Sequence, residues 1–284
     1  MSQERSQVAP VAASLFLAGF AYFGGIVAMG LMQSALARKV ELRWIMVLAE
    51  GALAFPALIV AWLLWERIPE IVVFRPLSRF APVLLVFLGF ALWILSLGVL
   101  QAQYAIAPPP QAYLDQFQGL LESLRPRRPI GWVFSLGAIA VAPAVFEEVV
   151  FRGVLTPVLN RAAGPAVAVL VSGVLFGAIH IDLLADGTSV YYRVPFAILL
   201  GMLLAKLRLD TGSLWPSMVA HATLNATTFL LVALVATETP ATVQEANPLV
   251  AAAMLLVGMP AALWIISVLK RGGALRAESV LAHQ

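Results

Sequence analysis

Residues Ala81–Ala102 read APVLLVFLGFALWILSLGVLQA, a run of 22 residues without a charged side chain. A helix needs about 20 apolar residues to cross a hydrocarbon core roughly 30 Å thick. This run is therefore long enough to span a membrane as one helix. Similar runs recur along the chain, so we predict an all-α, polytopic membrane protein with about eight transmembrane helices.

The predicted spans extend over the whole chain, which we treat as a single transmembrane domain of residues 1–284. The fourth span is longer than one crossing needs, and the fifth and sixth are short. The eight spans are Val11–Leu31, Ile45–Trp65, Ala81–Ala102, Gly131–Arg161, Pro165–Ile181, Val190–Leu207, Trp215–Ala236 and Pro248–Leu269.

The composition supports the same class of protein. Hydrophobic residues make up 61% of the 284 residues and charged residues 12%, with a mean hydropathy of +0.92. Soluble domains carry about 25% charged residues. The deficit is spread along the chain, which excludes a soluble domain on one anchor, and continuous apolar runs exclude the alternating strands of a membrane β-barrel. The absence of cysteine excludes thiolate chemistry, and a net charge of +3 requires no nucleic-acid partner.

Basic residues near the span ends predict an orientation with both termini in the cytoplasm, in a bacterial cell membrane. Lys270-Arg271 follows the last span, and the loop before that span carries Glu238 and Glu245 but no basic residue. Two basic stretches disagree with this orientation, Arg38-Lys39-Arg43 and Arg125-Pro126-Arg127-Arg128.

Seven polar side chains inside the predicted spans are selected as candidates for the functional site. Ionisable groups at bilayer depth cost at least about 2.5–3.5 kcal/mol each and are candidates for functional sites. The seven are Glu50, Glu147, Glu148, Arg152, His180, His221 and Asn225. Three of them fall within one stretch of six residues, which makes that stretch the centre of the candidate site.

Helical spacing separates the two adjacent glutamates. Glu148 and Arg152 are four residues apart, on one face and in the favourable acid-before-base order, so we predict an ion pair. Glu147 is turned by about 100° from Glu148 and has only apolar residues at the i+3 and i+4 positions. It is therefore left for chemistry or for a partner on another helix. The alternative is a packing polar group satisfied by a neighbouring helix.

Helix lengths predict which histidines approach Glu147. Glu147 and His180 both lie roughly 25 Å from the turn at residues 162–165, so an antiparallel hairpin places them opposite each other. His221 and Asn225 share a face of the seventh span. His221 lies only about 13 Å from the turn at Gly212, so it reaches the other pair only if that turn is sunk into the protein or the helices tilt.

These groups predict hydrolysis without a nucleophilic side chain or a cofactor. A carboxylate and an imidazole that converge on a water form a general-base pair. A second imidazole and a carboxamide can donate hydrogen bonds to the oxyanion of a tetrahedral intermediate. Two histidines and a glutamate are also a known catalytic zinc set, although the H-E-x-x-H signature is absent.

Three motifs in this order resemble the signature of the CAAX protease and bacteriocin-processing (CPBP, or ABI) family, whose best-known members are CAAX prenyl endopeptidases of the Ras-converting type. The resemblance covers about Pro143 to Ala226, within a catalytic core of about residues 131–236. The motifs are Glu147-Glu148-x-x-Phe151-Arg152-Gly153, Phe176-x-x-x-His180 and His221-x-x-x-Asn225.

The resemblance implies an intramembrane glutamic endopeptidase with eight helices. It assigns water activation to Glu147 and His180, the oxyanion site to His221 and Asn225, and a supporting pair to Glu148 and Arg152, with no metal. The family was once regarded as metal-dependent. The implied partners are the lipid bilayer and a membrane-associated peptide or protein, and nothing in the chain indicates that this substrate is prenylated.

Two other classes of function remain open from the residues alone. A member of this family can act without proteolysis, as a scaffold, immunity or regulatory protein. Buried Glu and His can also relay protons in a transporter, although transporters usually contain paired repeats with broken helices. Glu50 receives no role in any of these interpretations.

Overall fold

A computed structural model describes residues 2–37, 39–183, 189–235 and 247–281. Arg38, Ala236, Glu238 and Glu245, which entered the predictions of the spans and their orientation, lie outside the described residues. The helices before the motifs are α1 (Ser2–Leu36), α2 (Leu42–Leu64), α3 (Ala81–Ile106) and α4 (Gln111–Leu124).

A helical stretch of 50 residues, Pro129–Ala178, follows α4. Its parts are α5 (Pro129–Leu136), the π-helical turn π1 (Gly137–Val141), α6 (Ala142–Glu148), the π-helical turn π2 (Val149–Leu155) and α7 (Thr156–Ala178). The remaining elements are the strands β1 (Asp182–Leu183) and β2 (Ser189–Val190) and the helices α8 (Val194–Thr211), α9 (Trp215–Val235) and α10 (Pro248–Leu281).

The all-α, polytopic fold is confirmed. Within the described ranges, six helices are long and apolar enough to cross a membrane. The 50-residue stretch contains both the fourth and the fifth predicted spans, because Gly164 breaks it with a φ of 83° and a ψ of 172°. Glycine adopts positive φ without the steric cost that a Cβ imposes. Together with α8, these helices account for the eight predicted spans.

The predicted start of the sixth span at Val190 is wrong. Val190 pairs with Asp182 in an antiparallel two-residue strand pair, and α8 begins only at Val194. Pro195 lies in the first helical turn, where its fixed φ suits a helix and its missing N–H is not needed. At its other end α8 carries Lys206, Arg208 and Asp210, and it is not among the six most apolar helices.

The helix α4, which follows three consecutive prolines, is short and amphipathic. Leu124 at its end is buried, whereas Phe117 and Leu120 are each 39% exposed. Helices with one apolar and one polar face commonly lie in the plane of a membrane surface. Such a position would suit α4, which connects α3 to α5.

Glycines bring α7 and α8 into close contact. A Cβ at Gly177 would lie 2.3 Å from Cγ1 of Ile198, and one at Gly201 would lie 2.8 Å from Cα of Gly173. Small residues four apart allow helix backbones to approach within a membrane, where lipid is as apolar as leucine and packing drives association. This contact places the carbonyl of Gly201 beside the helix that carries the motif glutamates.

We predict that Gly173→Ala lowers the stability of the protein. The added Cβ would lie 2.4 Å from Cγ of Met202 and 2.9 Å from the carbonyl oxygen of Ile198. Overpacking of this kind costs about 1–3 kcal/mol, so the thermal unfolding midpoint in detergent should fall by several degrees. Gly19→Ala is the matched control, since a Cβ there meets nothing within 4 Å. Equal midpoints for the two variants would refute the close contact.

Candidate active site

The two motif glutamates end a short α-helical turn between two π-helical turns. Pro143 near the start of α6 has no N–H to donate and its ring crowds the preceding turn, so a regular α-helix cannot pass through it unchanged. The turn π1 directly before α6 accommodates this disruption. Single π turns inside α-helices are frequent at functional sites.

The carbonyl groups of π2 receive hydrogen bonds from other parts of the fold. The Arg152 carbonyl accepts one from Nε of Arg208 at 3.2 Å, and the Gly153 carbonyl accepts one from the Val72 amide at 3.2 Å. A buried carbonyl without a partner is costly. These bonds therefore stabilise the wider turn that carries Arg152. Arg208 is only 3% exposed. The sequence did not reveal its contact with π2, because a basic residue near the end of a helix carries no signal of a tertiary partner.

The predicted ion pair between Glu148 and Arg152 is present, and both side chains are fully buried. Nη1 of Arg152 donates to Oε1 of Glu148 at 2.7 Å. Nη2 donates to the carbonyl of Gly201 at 2.9 Å, and the guanidinium carbon lies 4.5 Å from the centre of the Phe176 ring. A cation over an aromatic face gains further stabilisation when it is desolvated. The pair thus connects π2 with α7 and α8.

Glu148 has a second partner that the helical spacing could not reveal. Its Oε1 lies 3.1 Å from Nδ1 of His221 on α9. A carboxylate paired with arginine can only accept hydrogen bonds, so Nδ1 of His221 is the donor. This bond orients the imidazole and directs its Nε2 toward the other glutamate.

Glu147 is buried beside this imidazole, and one of its two carboxylate oxygens makes no hydrogen bond among the described residues. The residue is 6% exposed, and its Oε2 has no hydrogen-bond partner among the described residues. The same oxygen lies 3.8 Å from Nε2 of His221, beyond hydrogen-bond length. The sequence predicted that Glu147 has no partner on its own helix, and its contact indeed comes from α9.

His221 reaches the glutamates because the turn before α9 is sunk into the protein. Ser213, Leu214 and Ser217 are fully buried. The Leu214 amide donates to the carbonyl of Val73 at 2.8 Å, so the loop after α2 covers the turn. The sequence analysis required a sunken turn or tilted helices for His221 to reach the depth of Glu147, and the turn is sunken.

The other two candidate residues are His180, directly after α7, and Asn225 on α9. Nδ1 of His180 lies 2.7 Å from the Phe176 carbonyl, to which it donates, so its Nε2 remains an acceptor. The Phe176 ring centre is 4.8 Å from that of His180 and 5.8 Å from that of His221, so one aromatic ring contacts both imidazoles. Asn225 is half-buried one turn after His221 on α9.

Residues 129–227, about a third of the chain, match the family model of the Rce1-like type II CAAX prenyl endopeptidases. We call residues 129–227 the Rce1-like segment because of this similarity. The match confirms the resemblance drawn from the three motifs and supports a membrane protease of this family. A search of curated proteins and a search of solved structures found no significant match.

Glu50 on α2 lies outside the Rce1-like segment but close to Glu147. The helix α2 packs against α6, with Gly51 placed so that a Cβ would lie 3.9 Å from Cζ of Phe146. The charges of Glu50 and Glu147 interact, and Oε2 of Glu50 is buried without a hydrogen-bond partner among the described residues. A third carboxylate therefore contributes to the electrostatics of the site.

The described residues include no group of three His, Asp or Glu side chains arranged to hold a metal ion. The carboxylate closest to His221 belongs to Glu148, which is already paired with Arg152. The donor set thus consists of a carboxylate paired with arginine, a carboxylate without such a pair, and two imidazoles held through their Nδ1 atoms. Oε2 of each carboxylate has no hydrogen-bond partner among the described residues.

We predict that the two adjacent glutamates differ sharply in their effect on stability. Glu148→Gln leaves the buried guanidinium of Arg152 without a countercharge, which should cost about 3–5 kcal/mol. Glu147→Gln breaks no ion pair with arginine, so its thermal unfolding midpoint should stay close to that of the wild type. Midpoints measured in one detergent provide the comparison. A loss of stability in Glu147→Gln as large as that in Glu148→Gln would contradict this division of roles.

Proposed function

We propose that this protein is an intramembrane glutamic endopeptidase, which hydrolyses a peptide bond of a membrane-associated substrate with Glu147 as the general base. The observation that carries the proposal is the buried Glu147 carboxylate, which has an oxygen without a hydrogen bond beside an imidazole that Glu148 orients. A base needs such an oxygen, because a carboxylate already saturated with hydrogen bonds is a poor proton acceptor.

Water activation is assigned to Glu147 and His180. With Nδ1 of His180 donating to the Phe176 carbonyl, its Nε2 accepts a hydrogen bond from the water and positions it. Glu147 removes a proton from that water, and the resulting hydroxide attacks the carbonyl carbon of the scissile bond. Glu147 then returns the proton to the leaving nitrogen as the tetrahedral intermediate collapses, so no covalent enzyme intermediate forms.

The oxyanion of the intermediate is assigned to His221 and Asn225. Glu148 accepts a hydrogen bond from Nδ1 of His221 and holds the imidazole in place, as the carboxylate of a catalytic triad does. Through a proton on Nε2, His221 can donate to the developing negative charge, and the carboxamide of Asn225 can donate to it as well. Donors held in place before the reaction stabilise such charge strongly, because no reorganisation is needed.

The proposed substrate is a peptide or protein at the membrane, of the CAAX type or of another membrane-associated class. The proposed catalytic core is about residues 131–236 within one transmembrane domain, in a cell membrane with both termini cytoplasmic. A site inside the bilayer favours chains already held at the membrane, because such chains need no separate step of partitioning. No cofactor and no nucleic acid enters this scheme.

The central test is Glu147→Gln in purified protein assayed with a membrane-tethered peptide. Loss of the general base should reduce the rate of cleavage by about 10²–10⁴-fold, without loss of folding. Glu66→Gln is the matched control, because Glu66 is an exposed carboxylate at the end of α2. Full activity in Glu147→Gln would refute the proposed base.

The oxyanion assignment has a separate test. Asn225→Ala should reduce kcat by about 10²–10³-fold while KM changes little, because the donor acts in the transition state rather than on the bound substrate. Steady-state kinetics of the two variants Asn225→Ala and Thr228→Ala, an exchange on the same helix, provide the comparison. A rise in KM with unchanged kcat would move Asn225 from the oxyanion to substrate binding.

Two alternatives predict different results in the same assays. Activity that is lost to a chelator and restored by zinc would indicate a metal-dependent peptidase that uses the same residues. A Glu147→Ala, His180→Ala double variant that inserts normally and complements a deletion would indicate a scaffold, immunity or regulatory function. The glutamic endopeptidase requires activity in chelator and no complementation by the double variant.

A further inference from the structure

Two basic stretches that disagree with the positive-inside orientation meet in one cavity. Arg43 at the start of α2 and Arg125, Arg127 and Arg128 between α4 and α5 line a cavity of about 420 Å³. These positions are more than eighty residues apart in the chain. A role as orientation signals does not explain why these arginines lie together, whereas a shared role in binding a ligand does.

The cavity carries a strong excess of positive charge. Four guanidinium groups line it, against the single carboxylate of Glu122. Arg125, Arg127 and Arg128 are exposed, and no ion pair joins them to a carboxylate among the described residues. Planar guanidinium groups match the oxygens of a phosphate, to which they can donate paired hydrogen bonds.

Arg43 forms a rigid wall of this cavity. Its Nε donates to Oγ of Ser135 at 2.8 Å, and its Nη2 donates to the carbonyl of Leu124 at 3.3 Å. Its Nη1 pairs with Glu41. These contacts join the start of α2 to the end of α4 and to α5, so the shape of the cavity does not depend on a ligand.

An apolar groove continues from the basic cavity toward the membrane interior. The groove, of about 130 Å³, shares Arg43 and Phe134 with the cavity and is further lined by Trp44, Val47 and Ala138 and by Glu41, which is paired with Arg43. Trp44 is 50% exposed and Phe134 52% exposed. The groove lies between α2 and the helix that continues into α6. The basic cavity at the end of the helices thus opens into the groove, which runs along the helices.

We propose that the cavity and groove together bind one anionic phospholipid, with its phosphate on Arg125, Arg127 and Arg128 and an acyl chain along Trp44 and Phe134. Basic pockets between transmembrane helices bind anionic headgroups in this way. A soluble phosphate would use only the arginines, whereas a lipid uses both compartments. The bound lipid would bridge α2, which carries Glu50, and the helix that carries Glu147.

The test measures lipid binding to the purified full-length protein by native mass spectrometry. We expect phosphatidylglycerol to bind at least about tenfold more tightly than phosphatidylcholine, because each basic group near a headgroup contributes to attraction. Inorganic phosphate at the same concentration should not displace the phosphatidylglycerol, since it gains nothing from the groove. This comparison needs no variant, so it stands even if a variant fails to fold.

A triple variant locates the site. Arg125→Gln, Arg127→Gln, Arg128→Gln should lose the preference for phosphatidylglycerol. The matched control removes three other exposed arginines, Arg67→Gln, Arg161→Gln, Arg271→Gln, from the opposite end of the helices and should keep the preference. Equal binding of the two lipids to the wild type, displacement by inorganic phosphate, or an equal loss in both triple variants would overturn the proposal.

Discussion

The buried ion pair between Glu148 and Arg152 is the interaction on which the rest of the site depends. Both groups are completely removed from solvent, where an unpaired charge would be prohibitive. Further hydrogen bonds support the pair: Arg152 also donates to Gly201, and Glu148 also accepts from His221. Oε2 of Glu148 and Nε of Arg152 have no partner among the described residues. Five parts of the fold, α6, π2, α7, α8 and α9, thereby meet around one guanidinium and one carboxylate.

The neighbouring Glu147 acquires its character from this pair. Oε1 of Glu148 accepts from Arg152 and His221, whereas Oε2 of each glutamate has no partner among the described residues. The two adjacent carboxylates differ because only Glu148 lies four residues before Arg152, on the same helical face. Consecutive residues thus supply one carboxylate that is paired with arginine and one that is not.

Close helix packing makes this geometry possible. Gly173, Gly177 and Gly201 let α7 and α8 approach until a backbone carbonyl reaches Arg152. The π-helical turn π2 shifts the register of the backbone, and its carbonyls are met by Arg208 and Val72 from outside the helix. In a membrane no water replaces missing partners, so each irregular turn must find its hydrogen bonds within the protein.

The all-α membrane fold follows from the sequence alone, because apolar runs near 20 residues have no other stable solution in lipid. The Glu148–Arg152 pair follows from it too, since partners four residues apart on one helix need no tertiary information. The contact of His221 with Glu148 and its approach to Glu147 depend on tertiary packing, because the loop after α2 buries the turn before α9. The sequence also did not reveal the start of α8, the position of Phe176 between two imidazoles, or the meeting of Arg43 with Arg125. Each of these arises from contacts between segments whose spacing along the chain carries no periodic signal.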